Sequence, residues 1–219
     1  MPTLLRMTTP TTWAGHTQGG EPLRRNMERI PLAKPYWDDE CEKAALATLS
    51  SGRWVKGPEG KKFGEEFAKW CGAISAVPCQ SGSAALWAAM RLLDIGPGDE
   101  VIVPGMTFIA TATSVSLAGA TPIFADIEDE YWCICPKDVE AKITDKTKAV
   151  IGVHLFGQAF SPKLREICDE YQIALVEDAA QAHGTTLNGI KAGAIGDVAC
   201  FSFFPSKNMA VGGEGGMIT

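Results

Sequence analysis

A single lysine, Lys207, stands between an aromatic run and a glycine cluster in residues 200–216, which read CFSFFPSKNMAVGGEGG. The aromatic alternation is typical of the end of a strand, Pro205 breaks that strand, and the glycines let the backbone turn tightly or approach a ligand closely. Partial burial of a lysine on such a turn favours the neutral amine over the ammonium form. A neutral amine can form a Schiff base with a carbonyl. A surface lysine beside a flexible loop would have the same local sequence, so both interpretations stay open.

Two acidic residues end an apolar run upstream, in residues 173–184, which read IALVEDAAQAHG. The run has the length of a buried strand and stops at Glu177 and Asp178. A carboxylate at such a place can be the N-cap of a helix, or it can hold a cation. In pyridoxal phosphate (PLP) enzymes that cation is the protonated pyridine nitrogen, and the carboxylate keeps the ring a strong electron sink. Taken together, Lys207 and Asp178 favour a PLP site.

A third stretch has the pattern of a phosphate cradle. A short strand is predicted over residues 75–79, and the turn QSGS at 80–83 opens a helix over residues 84–93. At the start of a helix, free backbone N–H groups and the positive end of the dipole attract anions, and the hydroxyl of Ser83 adds a donor. A simple helix cap would have the same sequence.

The order of strands and helices predicts an α/β fold. Apolar strands alternate with amphipathic helices, which is typical of βαβ units in a mostly parallel sheet with helices on both faces. The expected helices include residues 107–117, 136–143 and 162–171, the last capped by Ser161, and the expected strands include residues 122–125, 148–153 and 173–176.

Ligands bind such sheets at the carboxyl ends of the strands. Four residues are expected at these ends: Ser83, Phe108, His154 and Asp178. Phe108 either stacks on a flat ring or belongs to the core. His154 fits a buried supporting histidine better than a proton carrier.

Composition excludes several classes of protein. The net charge of -6 and the pI near 5.1 argue against a nucleic-acid surface. Seven cysteines without a CxxC pair or zinc spacing indicate reduced thiols, no metal site and a cytoplasmic location. No apolar run reaches the roughly 18 residues needed to cross a bilayer, so no membrane association is expected. The glycine-rich end does not match GxxxxGK[ST], which excludes a P-loop.

Two regions differ in composition. Residues 1–28 are rich in Thr, Gly, Pro and Arg without periodicity, which predicts a disordered N-terminal tail. Residues 29–219 are 191 residues long and form the expected cofactor-binding domain.

From about residue 30 to residue 219 the sequence resembles the N-terminal half of the DegT/DnrJ/EryC1/StrS family of PLP-dependent sugar aminotransferases. The matching runs, in the order of the family, are RIPLAKPYW, SGSAAL, GPGDEVIVP, TFIATA, GATPIFADI, VHLFGQ, VEDAAQAHG and FSFFPSKN with GEGG. The resemblance implies the fold-type I architecture, with a large domain built on a mixed seven-stranded sheet and a small C-terminal domain.

The resemblance also implies roles for individual residues. Lys207 corresponds to the Schiff-base lysine and Asp178 to the partner of the pyridine nitrogen. Gln181 corresponds to the residue beside the phenolic oxygen of the cofactor, and Phe108 to the residue that stacks on its ring. The residues that correspond to phosphate contacts are Gly82, Ser83 and Ser202.

Two departures from the family stand out. Ser83 replaces the usual threonine and keeps the hydroxyl. The sequence stops at Thr219, just after the lysine loop, where relatives continue for a comparable length. We therefore expect a large domain truncated after that loop, with the small C-terminal domain absent. We also expect the full-length protein to be a homodimer.

The implied activity is transfer of an amino group from an amino acid, glutamate by resemblance, to a keto group of a nucleotide-linked sugar. One alternative is a truncated, non-catalytic remnant or PLP-binding module of the same family. Another is a sugar dehydratase or deoxygenase, but those relatives carry histidine at the position of Lys207, so the lysine disfavours this interpretation.

Overall fold

The computed structural model describes residues 31 and 33–219, and the predicted tail over residues 1–28 lies outside the described residues. Its helices are α1 (Asp39–Ser50), α2 (Pro58–Cys71), α3 (Gly82–Leu92), α4 (Ala110–Leu117), α5 (Pro136–Ala141) and α6 (Lys163–Tyr171). Its strands are β1 (Val77–Cys79), β2 (Glu100–Pro104), β3 (Thr121–Ala125), β4 (Thr147–Val153), β5 (Ala174–Asp178), β6 (Thr186–Leu187), β7 (Ile190–Lys191), β8 (Val198–Ser202) and β9 (Gly216–Ile218).

Seven of the strands form one sheet in the order β1-β9-β8-β5-β4-β2-β3. The pairs from β8 to β3 are all parallel, whereas β9 runs antiparallel to both β8 and β1. The predicted mostly parallel, mixed α/β sheet is therefore confirmed, including its seven strands.

Alternate residues of the central strands enter two separate cores. Val101 and Val103 of β2 pack with helices α3 and α4, while Ile102 between them packs with α5 and α6. Because successive side chains of a strand point to opposite faces, apolar residues at every position require helices on both sides. This arrangement explains the nearly continuous apolar character of the strands.

A third core joins α2 to the strand that precedes the lysine loop. The ring of Phe67 lies 4.9 Å from that of Phe201 and 5.5 Å from that of Phe203, both edge-on. All three rings are buried, together with Met217 of β9. The aromatic run thus anchors the end of β8 firmly, and the loop that carries Lys207 starts from a fixed point.

Local differences from the predicted elements have clear causes. Helix α4 begins at Ala110 rather than 107, because residues 107–109 still form the loop after β2. Pro162 rather than Ser161 is the N-cap of α6, and the Ser161 hydroxyl accepts only a long 3.4 Å hydrogen bond from the N–H of Lys163. The hairpin β6–β7 and strand β9 were not predicted.

Within the described ranges, no helix combines the length and apolar character needed to span a bilayer.

Candidate active site

A cavity of about 510 Å³ opens at the carboxyl ends of the parallel strands. Most of its lining comes from residues near the ends of five strands, and the rest from one residue of α3 and one of the glycine-rich loop. The lining residues are Ser81, Gly82 and Ser83 after β1; Thr107, Phe108 and Ala110 after β2; Val153 and Leu155 around the end of β4; Asp178, Ala180 and Gln181 at the end of β5; Ser202, Phe204, Ser206 and Lys207 at the end of β8; and Leu86 and Glu214. All the predicted site residues line it, namely Gly82, Ser83, Phe108, Asp178, Gln181, Ser202 and Lys207. The volume lies within the roughly 300–1,000 Å³ typical of sites for small molecules and cofactors.

Asp178 is a buried acidic residue that lines the cavity. It is the last residue of β5 and only 5% exposed. Its Oδ1 accepts a hydrogen bond from the N–H of Ala180 (3.2 Å), and its Oδ2 accepts one from the hydroxyl of Thr111 (2.9 Å). Burial nevertheless raises the pKa of this carboxyl, against these hydrogen bonds and the charge of Lys207. A cationic ligand group beside Asp178 would therefore be strongly favoured.

Two glycines bring the start of α3 against the end of the sheet. A Cβ on Gly82 would lie 2.7 Å from the Cβ of Ser202, and one on Gly216 would lie 2.3 Å from the carbonyl oxygen of Ser81. These approaches are possible only without side chains. The Ser81 hydroxyl caps α3 by accepting from the N–H of Ala84 (3.2 Å).

The same close packing places Ser202 beside the first turn of α3, where Ser83 lies. Both side chains line the cavity. The free N–H groups of this helix start and the two hydroxyls form a concave group of donors. An anion such as a phosphate fits this arrangement.

Lys207 lies half-buried on a loop that is closed at its base. The N–H of Phe203 donates to the carbonyl of Gly215 (2.8 Å), and the N–H of Val211 donates to that of Phe203 (3.0 Å). The N–H of Lys207 itself donates to the carbonyl of Phe204 (2.8 Å). The amine is therefore held on a short turn over the same cavity that contains Asp178.

Gln181 is oriented by the backbone of Phe156. The N–H of Phe156 donates to Oε1 of Gln181 (2.8 Å), and Phe156 adopts a left-handed conformation with φ of 55°. Because Oε1 is engaged, the amide NH₂ is the end of Gln181 that remains to donate to a ligand. A bulky residue with positive φ is uncommon and is typical of functional sites.

Phe108 and His154 end up in opposite environments. The side chain of Phe108 is 66% exposed at the cavity, which excludes the core alternative. His154 is fully buried, stacks on Phe160 at 4.2 Å and donates from Nε2 to Oε2 of Glu177 (2.9 Å). It does not line the cavity, in keeping with the interpretation as a supporting histidine.

Comparison with known proteins identifies the lineage. A sequence model of the DegT/DnrJ/EryC1/StrS aminotransferase family matches residues 35–219. The chain belongs to this family. The PLP-form of Spr1654 from Streptococcus pneumoniae has a similar structure, with a TM-score of 0.84, 32% identity and coverage of 88% of this chain and 53% of that chain. The fold-type I aminotransferase architecture expected from the sequence is therefore confirmed.

Two curated proteins are similar to this chain in sequence. One is the UDP-N-acetyl-3-dehydro-alpha-D-glucosamine 3-aminotransferase of Acidithiobacillus ferrooxidans, which is 45% identical over 171 residues, or 78% of this chain and 46% of that protein. The other is the dTDP-3-amino-3,4,6-trideoxy-alpha-D-glucose transaminase of Streptomyces venezuelae, which is 45% identical over 180 residues, or 82% of this chain and 48% of that protein. The chain spans about half the length of the curated relatives it matches.

Sequence reasoning missed two threonines in this member of the family. Thr107 lines the cavity, and Thr111 contacts Asp178 from α4. Their spacing of four residues at the start of a predicted helix is the only local signal, and it is shared by many helices without a site.

In the described part of the chain, no group of three or more His, Cys, Asp or Glu side chains could hold a metal ion.

Proposed function

We propose that this chain carries the cofactor-binding half of a PLP-dependent aminotransferase that moves an amino group from an amino acid to a keto group of a nucleotide-linked sugar. One observation carries the proposal: the half-buried Lys207 and the buried Asp178 line one cavity together with the start of α3. The curated relatives, whose names specify amino transfer on UDP- and dTDP-sugars, support the substrate class.

The residues of the cavity fit PLP. Asp178 is a buried carboxylate whose pKa is raised by burial, so a pyridinium nitrogen is a favourable partner. The helix start beside Gly82 is a cradle that a Cβ would fill, and it suits the phosphate. The exposed ring of Phe108 is available to stack on the pyridine ring, and the NH₂ of Gln181 to donate to the phenolic oxygen.

When bound, PLP supplies an aldehyde that joins to amines and a protonated ring that draws electrons away from the α-carbon of the amino donor. With the cofactor bound, Lys207 would hold its aldehyde through Nζ, and the free Nζ would be the base for the proton on the α-carbon of the donor. Asp178 would keep the proton on the ring nitrogen. Leu86 and Val153 add apolar surface to the cavity lining.

The first test is covalent attachment of PLP. We expect the protein with PLP to show an absorbance band of a lysine adduct, and borohydride reduction followed by peptide mass spectrometry to place the label on Lys207. Lys207→Ala should remove both signals. Lys61→Ala is the matched control, since the Lys61 side chain is 81% exposed on α2. Labelling of another lysine would contradict the proposal.

The second test is amino transfer. Glutamate should convert the bound cofactor to its amine form, and glutamine is tested beside it. UDP- and dTDP-linked keto sugars should then restore the aldehyde form and gain one amino group. PLP binding without either conversion would instead support the non-catalytic remnant or binding module, and loss of a sugar hydroxyl would support the dehydratase alternative.

We also propose that the working protein is a homodimer. The family resemblance carries this expectation, and several large apolar side chains close to the cavity are strongly exposed, among them Phe108 (66%) and Ile109 (65%). Light scattering coupled to size-exclusion chromatography should give the mass of two chains. A monomer at high protein concentration would contradict this assembly.

A further inference from the structure

The hydroxyl of Thr111 bonds to residues outside its own helix. Thr111 is fully buried in the first turn of α4. Here Oγ1 donates to Oδ2 of Asp178 at 2.9 Å and also lies 2.9 Å from Oγ1 of Thr107. Thr107, Thr111 and Asp178 thus form one chain of hydrogen bonds that runs from the cavity wall to the buried carboxylate.

The number of available protons determines which group donates in each of these hydrogen bonds. A hydroxyl has one proton to donate, and an ionised carboxylate can only accept. The proton of Thr111 is therefore committed to Asp178, so the oxygen of Thr111 must accept from the hydroxyl of Thr107. As long as Asp178 is ionised, the proton of Thr107 points inward and its oxygen presents only lone pairs to the cavity.

Protonation of Asp178 at Oδ2 would allow the chain to reverse. The carboxyl would then donate to Thr111, Thr111 to Thr107, and the hydroxyl of Thr107 would be free to donate into the cavity. The two hydroxyls together favour the ionised state, because a buried carboxylate that accepts a polarised hydrogen bond is stabilised. This stabilisation opposes the rise in the pKa of Asp178 that burial causes.

We propose that Thr111 is a positioning residue that keeps Asp178 ionised and directed at the ring nitrogen of the cofactor, with Thr107 as the residue that orients the Thr111 hydroxyl. The inference rests on the proposed function, since it assigns these threonines to the same PLP site. Thr111 is fully buried and does not line the cavity, so it acts through Asp178, and Thr107 acts through Thr111. Their contribution is to the state of the carboxylate.

The experiment uses 4′-deoxypyridoxine 5′-phosphate, which has the ring and phosphate of PLP but no aldehyde. Its affinity therefore reports on Asp178 and the phosphate cradle without attachment to Lys207. Its ring nitrogen, labelled with ¹⁵N, reports by chemical shift whether the ring is protonated in the complex. A purely structural role for Thr111 would leave that chemical shift unchanged.

We expect the wild-type protein to bind the labelled probe with its ring nitrogen protonated. Thr111→Val should bind it about tenfold more weakly, the effect of losing one hydrogen bond to a charged group, with the shift moved towards the neutral ring. Thr111→Ser should restore both values, and Thr107→Val should have a smaller effect of the same sign. Thr113→Val is the matched control, because the Thr113 hydroxyl bonds the Ala110 carbonyl within α4.

A protonated ring and wild-type affinity in Thr111→Val would overturn the inference. So would equal losses in Thr111→Val and Thr111→Ser, because these would indicate packing alone. If Thr111→Val does not fold, Thr107→Val alone decides by its ¹⁵N shift. Failure of the wild-type protein to bind the probe or PLP would contradict the proposed function instead, which separates the two outcomes.

Discussion

Glu177 and Asp178 are neighbours on β5, and their side chains lie on opposite faces of the sheet. The carboxylate of Asp178 meets Thr111 of α4 at the cavity, whereas that of Glu177 meets His154 and the loop over residues 193–196. Alternation along the strand enforces this division, because consecutive side chains point in opposite directions. One acid is thus available to a ligand and the other is used entirely by the protein.

The first prediction concerns Glu177, which is fully buried. Its Oε1 accepts from the N–H groups of Ile195 (2.8 Å) and Gly196 (2.7 Å), and its Oε2 from the N–H of Gly193 (3.0 Å) and from His154. Glu177→Gln replaces one accepting oxygen with a donor that faces other donors. We expect the free energy of unfolding to fall by about 2–4 kcal/mol, measured by urea denaturation.

Glu65→Gln provides the control for this loss of charge. Glu65 pairs with Lys61 at 3.7 Å on the surface of α2, with 67% of its side chain exposed. Its replacement should change stability by less than about 0.5 kcal/mol. Equal stability of the Glu177→Gln and Glu65→Gln variants would show that the buried carboxylate does not hold the 193–196 loop.

The second prediction is that the buried carboxyl of Asp178 lowers the stability of the cofactor-free protein. Burial raises the pKa of this carboxyl in the folded state above its value in the unfolded chain. The folded state therefore holds its proton to higher pH, and stability falls as pH rises from the unfolded value through the folded value. We expect Asp178→Asn, without cofactor, to be more stable than wild type near pH 8, with the difference shrinking towards about pH 4.

Urea unfolding across this range measures the effect of Asp178→Asn. Asp145→Asn, at an exposed position, is the control for removal of one negative charge. The same Asp178→Asn protein should bind PLP much more weakly, because the amide cannot balance a pyridinium charge. A stability difference that is independent of pH would rule out the burial of the carboxylate as its cause.

The third prediction concerns the glycines of the phosphate cradle. A Cβ at position 216 would lie 2.3 Å from the Ser81 carbonyl oxygen, a distance that requires the backbone to move. We expect Gly216→Ala to weaken PLP binding at least tenfold and to lower the free energy of unfolding by about 2 kcal/mol. Equilibrium dialysis with PLP and thermal unfolding give the two values.

Gly212→Ala is a matched control in the same loop. No heavy atom lies within 4 Å of a Cβ built at Gly212. The substitution should leave both PLP affinity and stability near wild type. If Gly212→Ala and Gly216→Ala have the same effect, flexibility of the loop rather than close contact with the helix start determines binding.

The fourth prediction concerns His183, whose ring lies 5.3 Å from that of Phe201 and 5.4 Å from that of Phe203. Burial lowers the pKa of His183, so the folded state binds a proton less readily than the unfolded chain. Stability is full above the unfolded pKa of about 6.5 and is lost as pH falls below it. His183→Phe keeps the aromatic contacts and cannot titrate.

Unfolding of His183→Phe and wild type is compared between about pH 5 and pH 7.5. The stability of the variant relative to wild type should increase as pH falls, because only wild type has a buried imidazole to protonate. A constant difference over this range would indicate that His183 becomes protonated without cost in the folded state.

Much of the fold could be predicted because its signals are local. The strand alternation and helix periodicity around α3 and α6 are present in short windows of sequence, and so are the residues at strand ends. Strand β9 was missed because its three residues, Gly216–Ile218, are too few to show such a pattern. It becomes a strand only by pairing with β1 and β8 on either side.

The sequence by itself determined which chemical groups are available: an amine on a glycine-rich loop, two carboxylates at a strand end and a serine-glycine helix start. Only the tertiary structure decided that the partner of Asp178 is Thr111, 67 residues earlier in the chain, and that Glu177 is bound by His154 and the loop over residues 193–196. The physical reason is that the facing of a strand residue depends on which helices cover each side of the sheet. A hydrogen bond between distant segments exists only after those helices have packed.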